Sequence, residues 1–524
     1  MSEYGGTDAE SLRNGIDGIF NQEGFIPFKP EDYRLKMIGC TSDGASVNFG
    51  RKSGLMTRLS ETRPWLVKIH CSNHRVELAV KDAFKTTAFQ QVDEFYISNF
   101  NLLKNSRKIK TEIKAACHAL NIQHHTLSKL TGTRFIGHRR AAYKKLLAIW
   151  PAIQVAYENV VADPKTRAET RATVQGYLKK INSYQFLCLV CTYADVLEII
   201  TPASKIFEAE HLMAYDAWPA IEETLNNLTD TIHADMDEEM LVSHLASFRM
   251  EDGQLKSSFY KGDDSHKENA NKQRITIELK NFTYLNEDSV NSAIGKKKDV
   301  CNSLKELLEA KFADFQEPVL KSMIWFDCRR WPTDDKSFGF DKIKEMYFHF
   351  KQPLDFNGYD EVVALCEWRS LRSFVKANHS GEEPLSVWKT VLTFKRTEFP
   401  NLCMLAELVL CLSASNSTVE RAFSLLTLLL SNRRLTMSHV TMENLLCINL
   451  NNKIWTEKER EEITEMAVIK YLEKRRKKKC ITWEPPHKKS CSSSLDVTTI
   501  SSSDNEDSNS DDDDSSVVVF SDSE

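Results

Sequence analysis

Apolar residues recur at helical spacing along most of this chain, and form strand-like runs at only two places near its start. Residues 9–23, AESLRNGIDGIFNQE, put Leu12, Ile16, Ile19 and Phe20 on one helical face, which Gly24 and Pro27 end. Leu35–Cys40, LKMIGC, is short and apolar enough for a buried strand and runs into Thr41-Ser42-Asp43-Gly44. A helix is predicted over Ser46–Leu59, and Pro64 closes the connection. Trp65–His70, WLVKIH, reads as a second buried strand, with a helix over Asn73–Phe84. This α-β-α-β-α rhythm marks a layered α/β unit. Two strands leave a sheet edge unpaired, so further strands are expected from later in the chain or from N-terminal to it.

From about residue 88 to 395 the pattern becomes helical. Arg140–Trp150, Gln185–Ile200, Ser303–Phe315, Asp341–Phe350 and Asp360–Ala377 read as amphipathic helices, and the polar stretch 250–275 as a loop. The most hydrophobic segment is Leu402–Leu450. Within it Ser413–Leu435 places Val419, Ala422, Phe423, Leu426 and Leu430 on one stripe, thickened by Leu425, Leu428 and Leu429. Glu420, Ser424, Thr427 and Ser431 form a narrow polar seam. A helix apolar on most sides is expected to be buried, and its carboxylate needs a reason. Ser417-Thr-Val-Glu420 fits an S-x-x-E capping box; alternatively Glu420 faces a metal ion or another carboxylate.

The organisation predicted is an α/β part at 1–87, an all-helical domain at 88–395 and a leucine-rich region at 396–455. A charged helix with a basic cluster follows at 456–490, then an acidic tail at 491–524, whose Ser/Asp composition predicts disorder. Residues 495–524 carry ten acidic side chains and no Lys or Arg, so the remainder of this chain of net charge −5 is mildly basic. No run of about 18 uncharged apolar residues occurs, which predicts no membrane span. Thirteen cysteines without a spacing framework predict free thiols in a reducing, intracellular compartment.

Single motifs say little. Asp43 alone is an Asp-Gly turn at a strand end. Cys71-Ser-Asn-His74 lacks the two further ligands a structural zinc needs. Cys188 and Cys191 read as buried small side chains. Arg134-Phe135 could stack on a base. Lys474-Arg475-Arg476-Lys477-Lys478-Lys479, with Lys488-Lys489, reads as a nuclear localisation signal. Val517-Val518-Val519-Phe520, flanked by Asp511–Asp514 and Asp522–Glu524, resembles a SUMO-interacting motif, which adds a strand to a sheet edge.

Taken in order, IGCTSDGAS, KIHCSNHRVELAVKD, TGTRF, the helical block and SASNSTVERAFSLL…NRRLT…ENLLCINLN resemble the hAT superfamily of transposases. More narrowly, the series is similar to the domesticated, zinc-finger-associated hAT-derived proteins of vertebrates. The resemblance implies a mixed α/β, helix-rich fold: a ribonuclease-H-like core, truncated here, interrupted by a large all-α insertion and closed by a C-terminal dimerisation region. It implies that Asp43 and Glu420 match two of three catalytic carboxylates that bind two Mg2+ or Mn2+ ions, with Cys71 and His74 beside them. Arg134 and Phe135 match an Arg-Trp pair that packs on a flipped base. The first aspartate and an N-terminal zinc finger have no counterpart, since Asp8 and Asp17 fall on the first helix. The expectation is a nuclear, catalytically inactive protein without a cofactor, acting as a homodimer or higher oligomer through 396–455. Residual DNA contact and SUMO binding are expected beside that role. The alternatives are an active or fragmentary two-metal transposase or nuclease, and a SUMO-binding scaffold.

Overall fold

The computed structural model describes residues 6–21, 30–85, 87–130, 135–209, 212–234, 244–251, 254–260, 274–283, 285–332, 334–430, 437–451 and 455–475. It is a helix-rich mixed α/β fold that divides into two units, Met1–Leu450 and Asn451–Glu524.

The first unit begins with α1 (Ala9–Asn21), α2 (Pro30–Lys36), β1 (Gly39–Ser42), α3 (Ser46–Phe49), α4 (Leu55–Ser60), β2 (Val67–His70) and α5 (Ser72–Lys85). Two expected elements differ. The first strand sits further along than Leu35–Cys40, because Pro30 opens a short helix that runs to Lys36 and the ladder starts only where Val67 N–H reaches Ile38 O (2.9 Å). The helix expected over Ser46–Leu59 is broken into α3 and α4 by a turn from Gly50 to Gly54. β1 and β2 are parallel, with Gly39 opposite Val67 and Ser42 opposite His70, and form a sheet of two strands. α5 buries Val76, Ala79, Val80 and Ala83 at helical spacing against the main core.

The central block contains α6 (Gln90–Asn105), α7 (Arg107–Ala119), α8 (Phe135–Ala148), α9 (Trp150–Ala162), α10 (Ala168–Ile181), α11 (Tyr184–Phe207) and α12 (Ala214–His233). α11 is long and apolar enough to cross a bilayer, yet it is the core helix, buried along most of its length. Its Asp195 accepts from Lys297 (3.3 Å) and His244, a buried polar knot that fixes the register of the helices around it. Cys188 and Cys191 are fully buried on this helix, and burial pushes the Cys188 thiol up to about 12, so both pack as small apolar groups.

The block is not all-helical. β3 (Phe248–Glu251), β4 (Gln254–Tyr260) and β5 (Arg274–Leu279) make an antiparallel sheet where a loop was expected. Its inner face is set by period-two alternation: Leu255 lies opposite Leu279, and Ser257 opposite Phe248 and Ile277. Charges such as Arg249, Lys256 and Glu278 on the same strands hide that alternation in the sequence.

Then follow α13 (Glu287–Lys311), α14 (Pro318–Ser322), α15 (Phe340–His349), α16 (Lys351–Phe356), α17 (Glu361–Asn378), α18 (Pro384–Phe394), α19 (Pro400–Leu410), α20 (Ser417–Leu429) and α21 (His439–Asn451). Trp325, Trp368 and Trp388 meet edge to face at the centre of this part, with ring centroids 5.2–5.5 Å apart. α20 reverses the expectation of burial, and α21 is exposed beside it in sequence. Only Ser417 and Leu429 of α20, and Met442 of α21, are buried within one protomer. In the second unit α22 (Glu457–Arg475) starts with a true capping box: Glu459 accepts from Thr456 N–H (2.7 Å) and Thr456 Oγ1 accepts from Glu459 N–H (3.3 Å).

The buried carboxylate of Glu367 joins α17 to the first turn of α19, accepting from Asn401 Nδ2 (2.6 Å) and from the N–H groups of Asn401 (3.3 Å) and Leu402 (2.9 Å). Glu367→Ala strands these donors in the core and is expected to cost about 3 kcal/mol, with Glu367→Gln costing less because one oxygen remains. Urea denaturation of the three proteins checks the order; equal midpoints would contradict it.

Candidate functional site

β1 ends where the sequence puts its candidate carboxylate. Asp43 is exposed, and its Oδ1 accepts from Asn48 Nδ2 (2.7 Å) and Ala45 N–H (3.3 Å), closing a tight turn. Gly44 is required by a close approach rather than by its backbone angles. A Cβ there would lie 2.5 Å from Cε1 of His70, the last residue of β2.

The segment before α20 docks on the same end of the sheet. Thr41 Oγ1 donates to Ser413 O (2.6 Å), and Ser72 N–H donates to Ala414 O (2.9 Å). Asn416 N–H donates to Cys71 Sγ (3.3 Å), while its side-chain amide donates to Thr41 O and accepts from Asp43 N–H, each at 3.2 Å. On its other side the segment pairs with the start of α12. Ala414 N–H reaches Leu212 O (3.0 Å), Ala214 N–H reaches Leu412 O (2.8 Å), and Ser415 Oγ donates to Phe207 O (2.7 Å). Asn416 is the cap residue of α20, so this clamp carries Glu420, in the first turn of that helix, to the end of the sheet where Asp43 stands.

The capping box expected at Ser417–Glu420 is not formed. Ser417 is already helical, its hydroxyl donates to Ala209 O (2.9 Å), and its N–H is taken by Ser415 Oγ (3.2 Å). Glu420 is half-exposed in the first turn, where a negative charge complements the helix dipole. Cys71 and His74 do separate work. Cys71 is fully buried and its thiol joins the docked segment, facing Ser415 Oγ at 3.9 Å. His74 sits on the His70 ring, centroids 5.6 Å apart.

The sequence reading passes over Arg75, which holds this corner to the helical block. Its buried guanidinium pairs with Asp314, donates to Lys311 O (2.6 Å), and lies 5.4 Å from the centroids of Phe312 and Phe315. Its sequence carries no distinguishing signal, since α5 also holds Glu77, Lys81, Asp82 and Lys85.

Two divalent cations need converging carboxylates with open lone pairs. One oxygen of Asp43 is spent in its turn, and among the described residues no three His, Cys, Asp or Glu side chains gather to hold a metal ion.

Other expected sites fall outside the described residues: Arg134, the side chain of Phe135, Arg476, Lys477, Lys478 and Lys479, and Val517, Val518, Val519 and Phe520. Phe135 opens α8, and Lys474 and Arg475 end α22, by their backbones.

His70 gives this corner a pH dependence. Burial first, and then the charges of Arg75 and His74, lower its pKa to about 4 against the opposing pull of Asp314 and Asp43. Its Nε2 is buried without a hydrogen-bond partner. Unfolded, the ring titrates near the ordinary value of 6.5. The unfolded chain therefore binds a proton that the folded chain refuses. Stability from this group is complete above that ordinary value and falls as pH drops toward the folded value. His70→Phe keeps the ring and removes the proton. The urea midpoint is expected to fall less between pH 7 and pH 5 in the variant than in the parent protein, and an equal fall would contradict this.

Residues 367–452, from inside α17 to the end of α21, match the hAT family C-terminal dimerisation region. The match thus takes in the buried helices α18 and α19 together with the more exposed α20 and α21.

Proposed function

We propose that this is an hAT-transposase-derived nuclear protein that acts by self-association and protein binding, without transposase chemistry. The observation that supports it is the exposure of large apolar side chains inside the matched region. Val419, Phe423 and Leu428 on α20, and Val440, Ile448 and Leu450 on α21, are all exposed, Leu428 at 74%. Such a surface calls for a partner. In a two-fold dimer both protomers bring the same six. At about 1 kcal/mol each, since each is already partly covered, they contribute on the order of 12 kcal/mol. That is comparable with the roughly 4–15 kcal/mol lost on association, so a concentration-dependent dimer is expected.

In this reading β1, β2 and α5 belong to a ribonuclease-H-like core, and Asp43 and Glu420 are the remains of its catalytic carboxylates. The hydrogen bonds closed by Asp43 favour a structural use for that residue. The basic stretch at Lys474–Lys479 would serve nuclear import. Val517–Phe520 would bind SUMO or SUMO-bearing proteins, and DNA contact would be secondary.

Sedimentation velocity of the full chain over a range of concentrations tests the proposal. The parent protein is expected to associate, Phe423→Asp with Leu428→Asp to be monomeric, and Asp43→Asn with Glu420→Gln to associate as the parent does. A parent protein that stays monomeric throughout would overturn it. Mg2+-dependent DNA strand cleavage that is lost in Asp43→Asn would replace it with the active two-metal reading.

A further inference from the structure

A cavity of about 840 Å3 lies between the turn at Cys328–Arg330, the start of α15 and the second half of α17. Arg329, Lys336, Arg369, Arg372, Lys376 and His379 line it, and no Asp or Glu is among the lining residues. Some of that charge is already answered. Arg329 is paired with Asp327 (2.9 Å) and Glu383 (2.8 Å), and His379 with Glu382 (3.1 Å).

The rest is not answered in that way. Arg372 is held in place by uncharged acceptors, donating to Pro332 O (2.7 Å) and Asp335 O (2.9 Å). Arg369 lies over Phe340, 5.1 Å from its centroid. Lys336 and Lys376 are exposed and make no ion pair among the described residues. Lys376 complements the C-terminal end of α17, but Arg369 and Arg372 lie too far back along the helix for that explanation. Beside these cations stands Trp331, half-exposed. Its ring is fixed by Nε1 donating to Trp325 O (2.7 Å) and by an edge contact with Trp368 at 4.8 Å.

Guanidinium groups pre-positioned by neutral acceptors suit the oxygens of a phosphate ester, and a fixed indole offers a face to a flat ring. The volume is that of a small-ligand site. We propose that this cavity binds a nucleotide. Arg369, Arg372, Lys336 and Lys376 hold the phosphates, and Trp331 receives the base. The same chemistry is met in a free nucleoside polyphosphate and in one unit of a single strand.

Isothermal titration of the full chain with ATP, adenosine, inorganic pyrophosphate and a short single-stranded oligonucleotide tests it. ATP or the oligonucleotide is expected to bind saturably, and the tighter of the two identifies the source. Adenosine and pyrophosphate should bind at least about tenfold more weakly, since each offers only half of the contacts. Arg369→Gln and Lys376→Gln, both at exposed side chains, should each weaken binding by about tenfold while leaving the chain folded at the assay temperature, as its melting curve shows. No saturable binding, pyrophosphate binding as tight as ATP, or binding unchanged in both variants would overturn the proposal.

Discussion

The structure turns on the few residues from Leu412 to Ser417, whose polar groups are satisfied from two sides at once. One side is the end of the two-stranded sheet, through Thr41, Cys71 and Ser72; the other is the end of α11 and the start of α12, through Phe207, Ala209 and Leu212. Backbone groups buried at such a junction must be paired, so the segment has little freedom to shift. It also compensates for the smallness of the sheet. Two strands cannot make a stable sheet alone, and here the ends are braced by a piece of chain that arrives from more than three hundred residues away.

The same brace decides where α20 begins and which way it leaves. α19 precedes the clamp and buries Leu402, Leu405, Ala406 and Val409, with Glu367 closing its first turn. α20 follows the clamp and is also rich in leucine, though less apolar than α19, and within one protomer it turns only a narrow line toward other residues. Val419 and Phe423 lie on one side of it and Leu428 on nearly the opposite side, so no single packing face within the chain could cover them. An apolar helix in this position is read most simply as half of an interface, which is what the match over 367–452 describes.

Where local chemistry sets an element, the sequence showed it. β2 is a short apolar run closed off by Pro64, α17 begins at Asp360, whose side chain accepts from Val363 N–H (3.0 Å), and both stand within a few residues of expectation. Where two distant segments decide the outcome, the sequence did not show it. The pattern at Ser417–Glu420 matches a capping box, but Ala209, over two hundred residues earlier, takes the Ser417 hydroxyl. The antiparallel sheet within the helical block was concealed by charges on its solvent face. The juxtaposition of Asp43 with the first turn of α20 came from the ordered resemblance, and Asn416, which makes the connection, carried no signal of its own. Periodicity reported correctly that α20 is apolar. It could not report burial, because burial depends on what packs against the helix.

The central claim is that a second copy covers α20 and α21. Amide hydrogen exchange of the full chain, followed at increasing protein concentration, tests it most directly. The account predicts that exchange within Ser417–Leu429 and His439–Asn451 slows as concentration rises while exchange within Pro400–Leu410 stays constant. Identical exchange in α20 and α21 at every concentration would contradict it.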